Sequence, residues 1–439
     1  MGIQTITISI LALTVGLSLG RPKIGVLRFD HVSAGIIGAM LCIATGIVPL
    51  ETAVDSLQFL FSPIITIISL MTITVVAEAS GLFNFLAKKI AIGAKGNANR
   101  LFFYIFLMGT LSGTIFTNDA AVLIFTPLVF KLIEDVQEES WTLANKFPFY
   151  FAVLYVANVA GALIISNPIN IVASQFFNIG FIDYASWMLI PALISIIVSY
   201  IGIRIFFRRE LPTTYRLPEP TPTTRKQYIA MIICGIVLIL TLMAFFSEPI
   251  THLPTWKVAF FSAATLLLLH GKINDTSYSR IFKGIGWDVI IFVIGIFLIA
   301  NSIRSSGLTL LLGGWLQNLA ANGLPMLSQS IGLLSAGLSA VINNHPTAYI
   351  MPMVIQDIGL SDFASKIMLF SALIGGDLGP KMLPIGSLAA LMWFRILRNK
   401  GVEVPYKLYV KIGIPVSLTA VILSILVLNL EVYIYSLFN

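Results

Sequence analysis

Gly113-Thr-Ile-Phe-Thr-Asn-Asp-Ala-Ala-Val-Leu-Ile-Phe-Thr-Pro127 places Asn118 and Asp119 in the middle of an apolar run. That run, residues 101–133, carries no other charge before Lys131. An ionised carboxylate in hydrocarbon is expensive, so a chain that keeps one there is normally using it. About 225 residues later the chain reads Ala340-Val-Ile-Asn-Asn-His-Pro-Thr-Ala-Tyr-Ile-Met-Pro352. Asn118 matches Asn343, Asp119 matches Asn344 and Pro127 matches Pro352 at one common offset. A polar tip inside an apolar run therefore occurs twice.

The surroundings of these tips are those of a polytopic helical membrane protein. Of the 439 residues, 57% are hydrophobic and 11% charged, with mean hydropathy +0.93. Soluble domains carry roughly 25% charge. The apolar runs are continuous rather than alternating, which excludes a barrel. A net charge of +7 would suggest nucleic acid in a soluble protein. Here the basic residues sit in short loops, where the positive-inside rule accounts for them and no nucleic-acid partner is implied. Cys42 and Cys234 lie in separate apolar runs and give neither a disulfide framework nor a metal-ligand spacing. Residues 3–20 lack a basic leader and a small-residue cleavage site, so a retained first span is expected.

Apolar runs lie near 3–20, 31–50, 56–77, 101–134, 147–180 and 187–207, and again near 228–246, 256–270, 287–303, 325–356, 364–395 and 412–430. A span needs ~20 apolar residues. The two halves of 101–134 are each shorter than that and meet at Asn118-Asp119, so 101–134 and 325–356 are expected to be re-entrant hairpins. Runs 147–180 and 364–395 are expected to be broken helices, interrupted at Ser166–Asn170 and Gly379–Gly386. Loop charge fits this count. Lys and Arg occupy 21–28, 88–100, 208–226, 272–283 and 398–411, while 51–55, 180–186, 247–255 and 357–363 hold none. The pattern survives only if both hairpins return to the side they came from, which puts both termini outside. The expected fold is all-α: about ten transmembrane helices, two hairpins and two broken helices. The expected division is a first repeat 1–207, a Pro- and Thr-rich cytoplasmic linker 208–227 and an inverted second repeat 228–439. Inverted repeats whose broken helices meet near the midplane are a common secondary-transporter plan.

Breaks at membrane depth leave backbone groups unpaired and are tolerated only where they line a polar cavity. Half-helix N-termini then offer donors to a solute. The expected solute ligands are Thr117 and Asn118, Ser166, Asn167 and Asn170 on the first side. Asn343, Asn344, Thr347, Gly386 and Ser387 are those on the second. Amides and hydroxyls suit a neutral hydroxylated solute, and no Arg cluster is present to grip a strong anion. Asp119 is the candidate for proton or cation coupling, although Asp also caps helices well. Asp377 is a second coupling candidate, paired with Lys381. Glu78 ends the third span as an interfacial charge with a secondary coupling role open to it, and His345 could share a proton at its tip. His31, His252 and His270 are expected at span ends, and Asp288 after Trp287 as an N-terminal charge beside an aromatic anchor. Nucleotide loops, zinc motifs and hydrolytic triads are missing, so neither an enzyme nor a cofactor is expected.

Thr117–Pro127, Ile165-Ser-Asn-Pro-Ile-Asn-Ile-Val172, Asn343-Asn-His-Pro-Thr347 and Gly376-Asp-Leu-Gly-Pro-Lys-Met-Leu-Pro-Ile-Gly-Ser-Leu388 resemble the bacterial arsenite efflux permeases of the ArsB type. These belong to the ion-transporter superfamily. The resemblance covers nearly the whole chain, and the run Gly376–Leu388 is its most specific part. It implies proton-driven export of arsenite and antimonite hydroxides across the bacterial cytoplasmic membrane, in some systems with a cytosolic arsenical-pump ATPase attached. Two positions depart from the family pattern: Glu78-Ala79 replaces two adjacent acids, and His345 replaces an apolar residue. A sodium-coupled carboxylate or oxyanion symporter, a sodium/proton antiporter and a non-transporting membrane receptor remain the alternatives.

Overall fold

Short polar breaks divide the apolar runs, and twenty α-helices lie among the described residues. The computed structural model describes residues 2–20, 22–24, 27–157, 161–218, 224–273 and 278–438. Helix α1 (Ile3–Gly20) leads to a two-residue antiparallel pairing of β1 (Lys23–Ile24) with β2 (Leu27–Arg28). Next come α2 (His31–Ala44), started by an Asp30/Ser33 capping box, and α3 (Leu50–Ala79). The expected hairpin 101–134 is the pair α5 (Ala98–Ile115) and α6 (Asn118–Val136). The expected broken helix 147–180 is α7 (Leu143–Ala157), a 3-10 turn Ile164–Ser166 and α8 (Pro168–Gln175), followed by α9 (Phe181–Phe206).

Between α3 and α5, where loop charge at 88–100 predicts a connection, lies a further helix, α4 (Leu82–Gly93). Twelve residues rise only about 18 Å and cannot span a bilayer. Gly81, at φ 83°, turns the chain out of α3 into it.

The second half repeats this order. Helices α10 (Arg225–Phe246), α11 (Glu248–Thr251), α12 (Thr255–Ile273) and α13 (Tyr278–Gly284) precede α14 (Trp287–Ser305), the counterpart of α3. Gly307, at φ 78°, then makes the same turn into α15 (Leu308–Ala320). The second expected hairpin is α16 (Leu324–Ile342) with α17 (Asn344–Ile358). The second broken helix is α18 (Asp362–Leu378), a 3-10 turn Gly379–Lys381 and α19 (Leu388–Asn399), and α20 (Tyr406–Phe438) closes the chain. Among the described residues, six helices are long and apolar enough to cross a membrane on length and composition. Apolar side chains such as Met243 (62% exposed) and Phe261 (65%) face outward from the bundle, as a lipid-facing surface requires.

Lipid tails supply no hydrophobic drive for helix association, so interfaces rely on small residues and close packing. A Cβ on Gly375 would stand 2.0 Å from the Gly332 carbonyl oxygen, so α16 and α18 touch backbone to backbone. Ser328 and Ser371 share a 2.7 Å hydrogen bond across the same contact, and Ser335 donates to the Ala372 carbonyl at 2.6 Å. The halves also exchange partners: α2 packs on α14 and α12 on α3.

The described start of the linker is fastened to the first half. The Ala98 N–H donates to the Thr213 carbonyl (3.0 Å), that of Tyr215 to Gly96 (3.1 Å) and that of Arg216 to Val136 (2.8 Å). The Tyr215 hydroxyl donates to the Ala91 carbonyl. These bonds gather the end of α4, the start of α5 and the end of α6.

Candidate functional site

The break in the first half holds the second half's buried acid. Pro168 occupies the first turn of α8, where its missing N–H costs nothing, and the Asn167 side chain caps that turn from Ile169 N at 3.3 Å. Asp377, at the end of α18, is fully buried. Its carboxylate accepts from Asn167 Nδ2 (2.5 Å), Asn170 Nδ2 (3.2 Å) and the Gly161 N–H (3.0 Å). A Cβ on Gly161 would stand 2.2 Å from Asn170 Nδ2 and 2.5 Å from Ser166 Oγ, so only glycine lets that N–H reach the acid. Tyr184 donates to the Gly161 carbonyl at 3.1 Å and fixes the loop from the other side.

The expected Asp377–Lys381 ion pair does not form; among the described residues Lys381 Nζ donates instead to the Tyr155 carbonyl at 2.7 Å. The same nitrogen lies 5.0 Å from the centroid of the Tyr155 ring. The 3-10 turn Gly379–Lys381 carries the lysine to the α7 backbone of the first half. Lys381 is itself buried, 1% exposed.

At the second tip Asn343 adopts φ 82°, ψ 156°, a region essentially reserved for glycine that costs about 1–3 kcal/mol. Its Oδ1 accepts from the His345 N–H (3.2 Å), and Thr347 Oγ1 donates to its carbonyl (3.0 Å). His345 Nδ1 lies 3.1 Å from Asn344 Oδ1. Asn343 Nδ2 and His345 Nε2 are buried and have no partner among the described residues. Asn343→Gly is expected to raise the melting temperature of detergent-solubilised protein by a few degrees while weakening transport. A lower melting temperature would show that the strained asparagine is a structural necessity.

At the first tip Thr117 Oγ1 and Asn118 Nδ2 are likewise buried and have no partner among the described residues. Asp119 lies in the first turn of α6, but its side chain falls outside the described residues. Ser387 accepts from the Ala389 N–H at 3.1 Å to start α19, and Gly386 lets the chain pass Pro380, whose Cα a Cβ there would meet at 2.7 Å. Each tip packs on the broken helix of the opposite half, α6 on α19 and α17 on α8. The site is therefore two crossed half-sites joined through Asp377.

Glu78 stands apart from these groups. With Asp288, Thr74, Ala120, Leu123 and Met392 it lines a cleft of about 270 Å³ that reaches the first turns of α6. His31 and Asp288 are more than separate span-end residues, since His31 Nε2 lies 3.1 Å from Asp288 Oδ2 and joins α2 to α14. His270 is buried beside Cys234. His252 ends α11 in the left-handed region. The sequence reading missed Gly161, Tyr155 and Tyr184, which act through backbone groups or a distant hydroxyl and leave no motif.

An all-helical apolar bundle with paired polar breaks defines a polytopic membrane protein of transporter fold. The solved structure of the Alcanivorax borkumensis YdaH transporter superposes with TM-score 0.59 at 14% identity, covering 98% of this chain and 97% of that one. Neisseria gonorrhoeae MtrF, described with a class of antimetabolite efflux pumps, superposes with TM-score 0.56 at 14% identity, covering 98% and 94%. The family described as arsenical pump membrane protein matches residues 6–435. An Escherichia coli arsenical pump membrane protein is 31% identical across 96% of this chain and 98% of its own length. A putative arsenical pump membrane protein of Bacillus subtilis is 22% identical across 85% and 88%. The chain belongs to the arsenical pump membrane protein family.

Proposed function

We propose that this protein exports arsenite and antimonite hydroxides from the cytoplasm in exchange for protons, by alternating access between two inverted repeats, 1–207 and 228–439. The observation that carries the reading is a set of polar atoms at the breaks that are buried and have no partner among the described residues: Thr117 Oγ1, Asn118 Nδ2, Asn170 Oδ1, Asn343 Nδ2 and His345 Nε2. They mix donors with acceptors, as a neutral molecule bearing several hydroxyls requires. Groups buried without partners are costly unless something satisfies them. Thiolates are the strong ligands of trivalent arsenic, but Cys42 and Cys234 are buried in α2 and α10, away from the breaks. Oxygen- and nitrogen-based recognition is weaker, which suits a carrier that must release its cargo.

Asp119 and Asp377 are the proposed proton carriers, one in each half. In this reading the linker is cytoplasmic and both termini lie outside, an orientation the distribution of basic loops supports. The linker's fastened first part offers a firm surface on which a cytosolic ATPase could dock. Membership of the arsenical pump family supports the substrate. Expression of the chain in an arsenite-sensitive bacterium is expected to restore growth, and everted vesicles energised to an acidic interior are expected to accumulate arsenite without sodium. A well-expressed chain that gives neither result would refute the substrate. Uptake strictly dependent on sodium would refute proton exchange.

A further inference from the structure

We infer that the protein is held closed toward the outside by a gate made of Phe59, Phe176 and Phe297 with the polar clasp Ser56–Asn301 and Arg304–Gln356; the inference rests on the transport reading above. Helix α3 rises about 45 Å, with Asp55 near one end and Glu78 near the other. Each end opens into a cavity, and the two are built from corresponding elements. The inner cleft is walled by the end of α3, the start of α14, α6 and α19. An outer vestibule of about 300 Å³ is walled by the end of α14, the start of α3, the end of α17 and the turn after α8.

Their depths differ. The inner cleft touches Ala120, two residues past Asn118, about 3 Å along the helix axis. The outer vestibule touches α17 only at Gln356, twelve residues past Asn344 and about 18 Å away. Three rings fill the missing depth. Phe59 lies 4.9 Å from Phe176 and stacks on Phe297 at 5.3 Å, and Phe176 and Phe297 are 5.9 Å apart. Phe297 then meets Tyr349 of α17 at 5.9 Å, just beneath.

Hydrogen bonds close the rim above the rings. Asn301 Nδ2 donates to Ser56 Oγ at 2.9 Å across the two halves. Arg304 donates to Gln356 Oε1 at 3.0 Å, and Gln356 Nε2 donates to the Phe176 carbonyl at 3.3 Å. Arg304 also lies 3.8 Å from Asp357. Arg304 occupies the place in the second half that Glu78 holds in the first. The acid thus stands at the open mouth and the cation at the shut one. A solute released outward must part these rings and these bonds.

The test uses full-length protein in native membranes with Cys42 and Cys234 replaced by alanine. A Ser56→Cys/Asn301→Cys pair is expected to cross-link without arsenite, read on a gel after cutting at a protease site placed in the linker. Cross-linking is expected to lower arsenite uptake at least tenfold, with recovery on reduction. Absence of cross-linking in the substrate-free protein, or undiminished uptake once cross-linked, would overturn the gate. A second measurement needs no arsenite. Ser339 is buried in α16, four residues before the second tip and beside Gly376; a membrane-impermeant thiol reagent applied from outside is expected to miss Ser339→Cys and to label it at least tenfold faster when Phe297→Ala is added. Equal labelling in the two would also overturn the gate. Should the chain move no arsenite, the labelling still decides the gate while the substrate reading fails alone.

Discussion

Asp377→Ala is expected to abolish export and to destabilise the fold, since each buried donor left without its acceptor costs about 1–3 kcal/mol. Three donors, from Asn167, Asn170 and Gly161, converge on that carboxylate. Each loses its acceptor in a place where little water can replace it. Asp377→Asn separates folding from function. It keeps the volume and one acceptor oxygen, but turns an NH₂ toward at least one of the three donors. Near-normal expression, a monodisperse size-exclusion peak and at least a tenfold fall in arsenite uptake are expected. Wild-type uptake by Asp377→Asn would show the acid to be a structural bolt between the halves, and the proton would have to ride elsewhere.

Asp119→Asn is the second large effect, and its signature differs. Asparagine starts a helix as well as aspartate does, so expression and thermal stability are expected to stay within a few degrees of wild type. Uptake driven by a proton gradient in everted vesicles is expected to fall about a hundredfold, while arsenite exchange at equilibrium persists. A variant that binds and exchanges cargo but ignores the gradient has lost coupling and kept its site. Of the two hairpin tips only the first carries a carboxylate, Asp119 against Asn344, which favours the first repeat as the seat of coupling. The second half holds its own acid one helix further on, so comparing the two asparagine variants decides which carries the proton. Gradient-driven uptake surviving in Asp119→Asn and vanishing in Asp377→Asn would assign coupling to the second half.

The breaks themselves were legible because their chemistry is so foreign to the runs around them. Asn118, Ser166–Asn170 and Asn343 each interrupt an apolar stretch too long for one hairpin arm and too polar for an unbroken span. Helices α4 and α15 were not legible, since a search tuned to ~20 apolar residues passes over twelve or thirteen that lie beside a bundle. Their signal was present in the paired Ser-Gly-Leu at Ser80–Leu82 and Ser306–Leu308, which gives both helices the same left-handed turn. The destination of Lys381 was beyond any pattern. Four residues from Asp377, it invites a helical ion pair, but the chain leaves the α-helix at Gly379 and carries the lysine to the Tyr155 carbonyl. Gly161 was invisible for a related reason: its contribution is a bare N–H, which every residue but proline owns.

The contact between Gly332 and Gly375 has a bearing on what can move. With no side chain between Gly332 and Gly375, there is no compliant layer to shear at that point, and the serine bonds beside it would have to break together. The second hairpin's first arm and the helix that delivers Asp377 must therefore travel as one rigid piece, with motion displaced to the seam where α8's asparagines meet that acid.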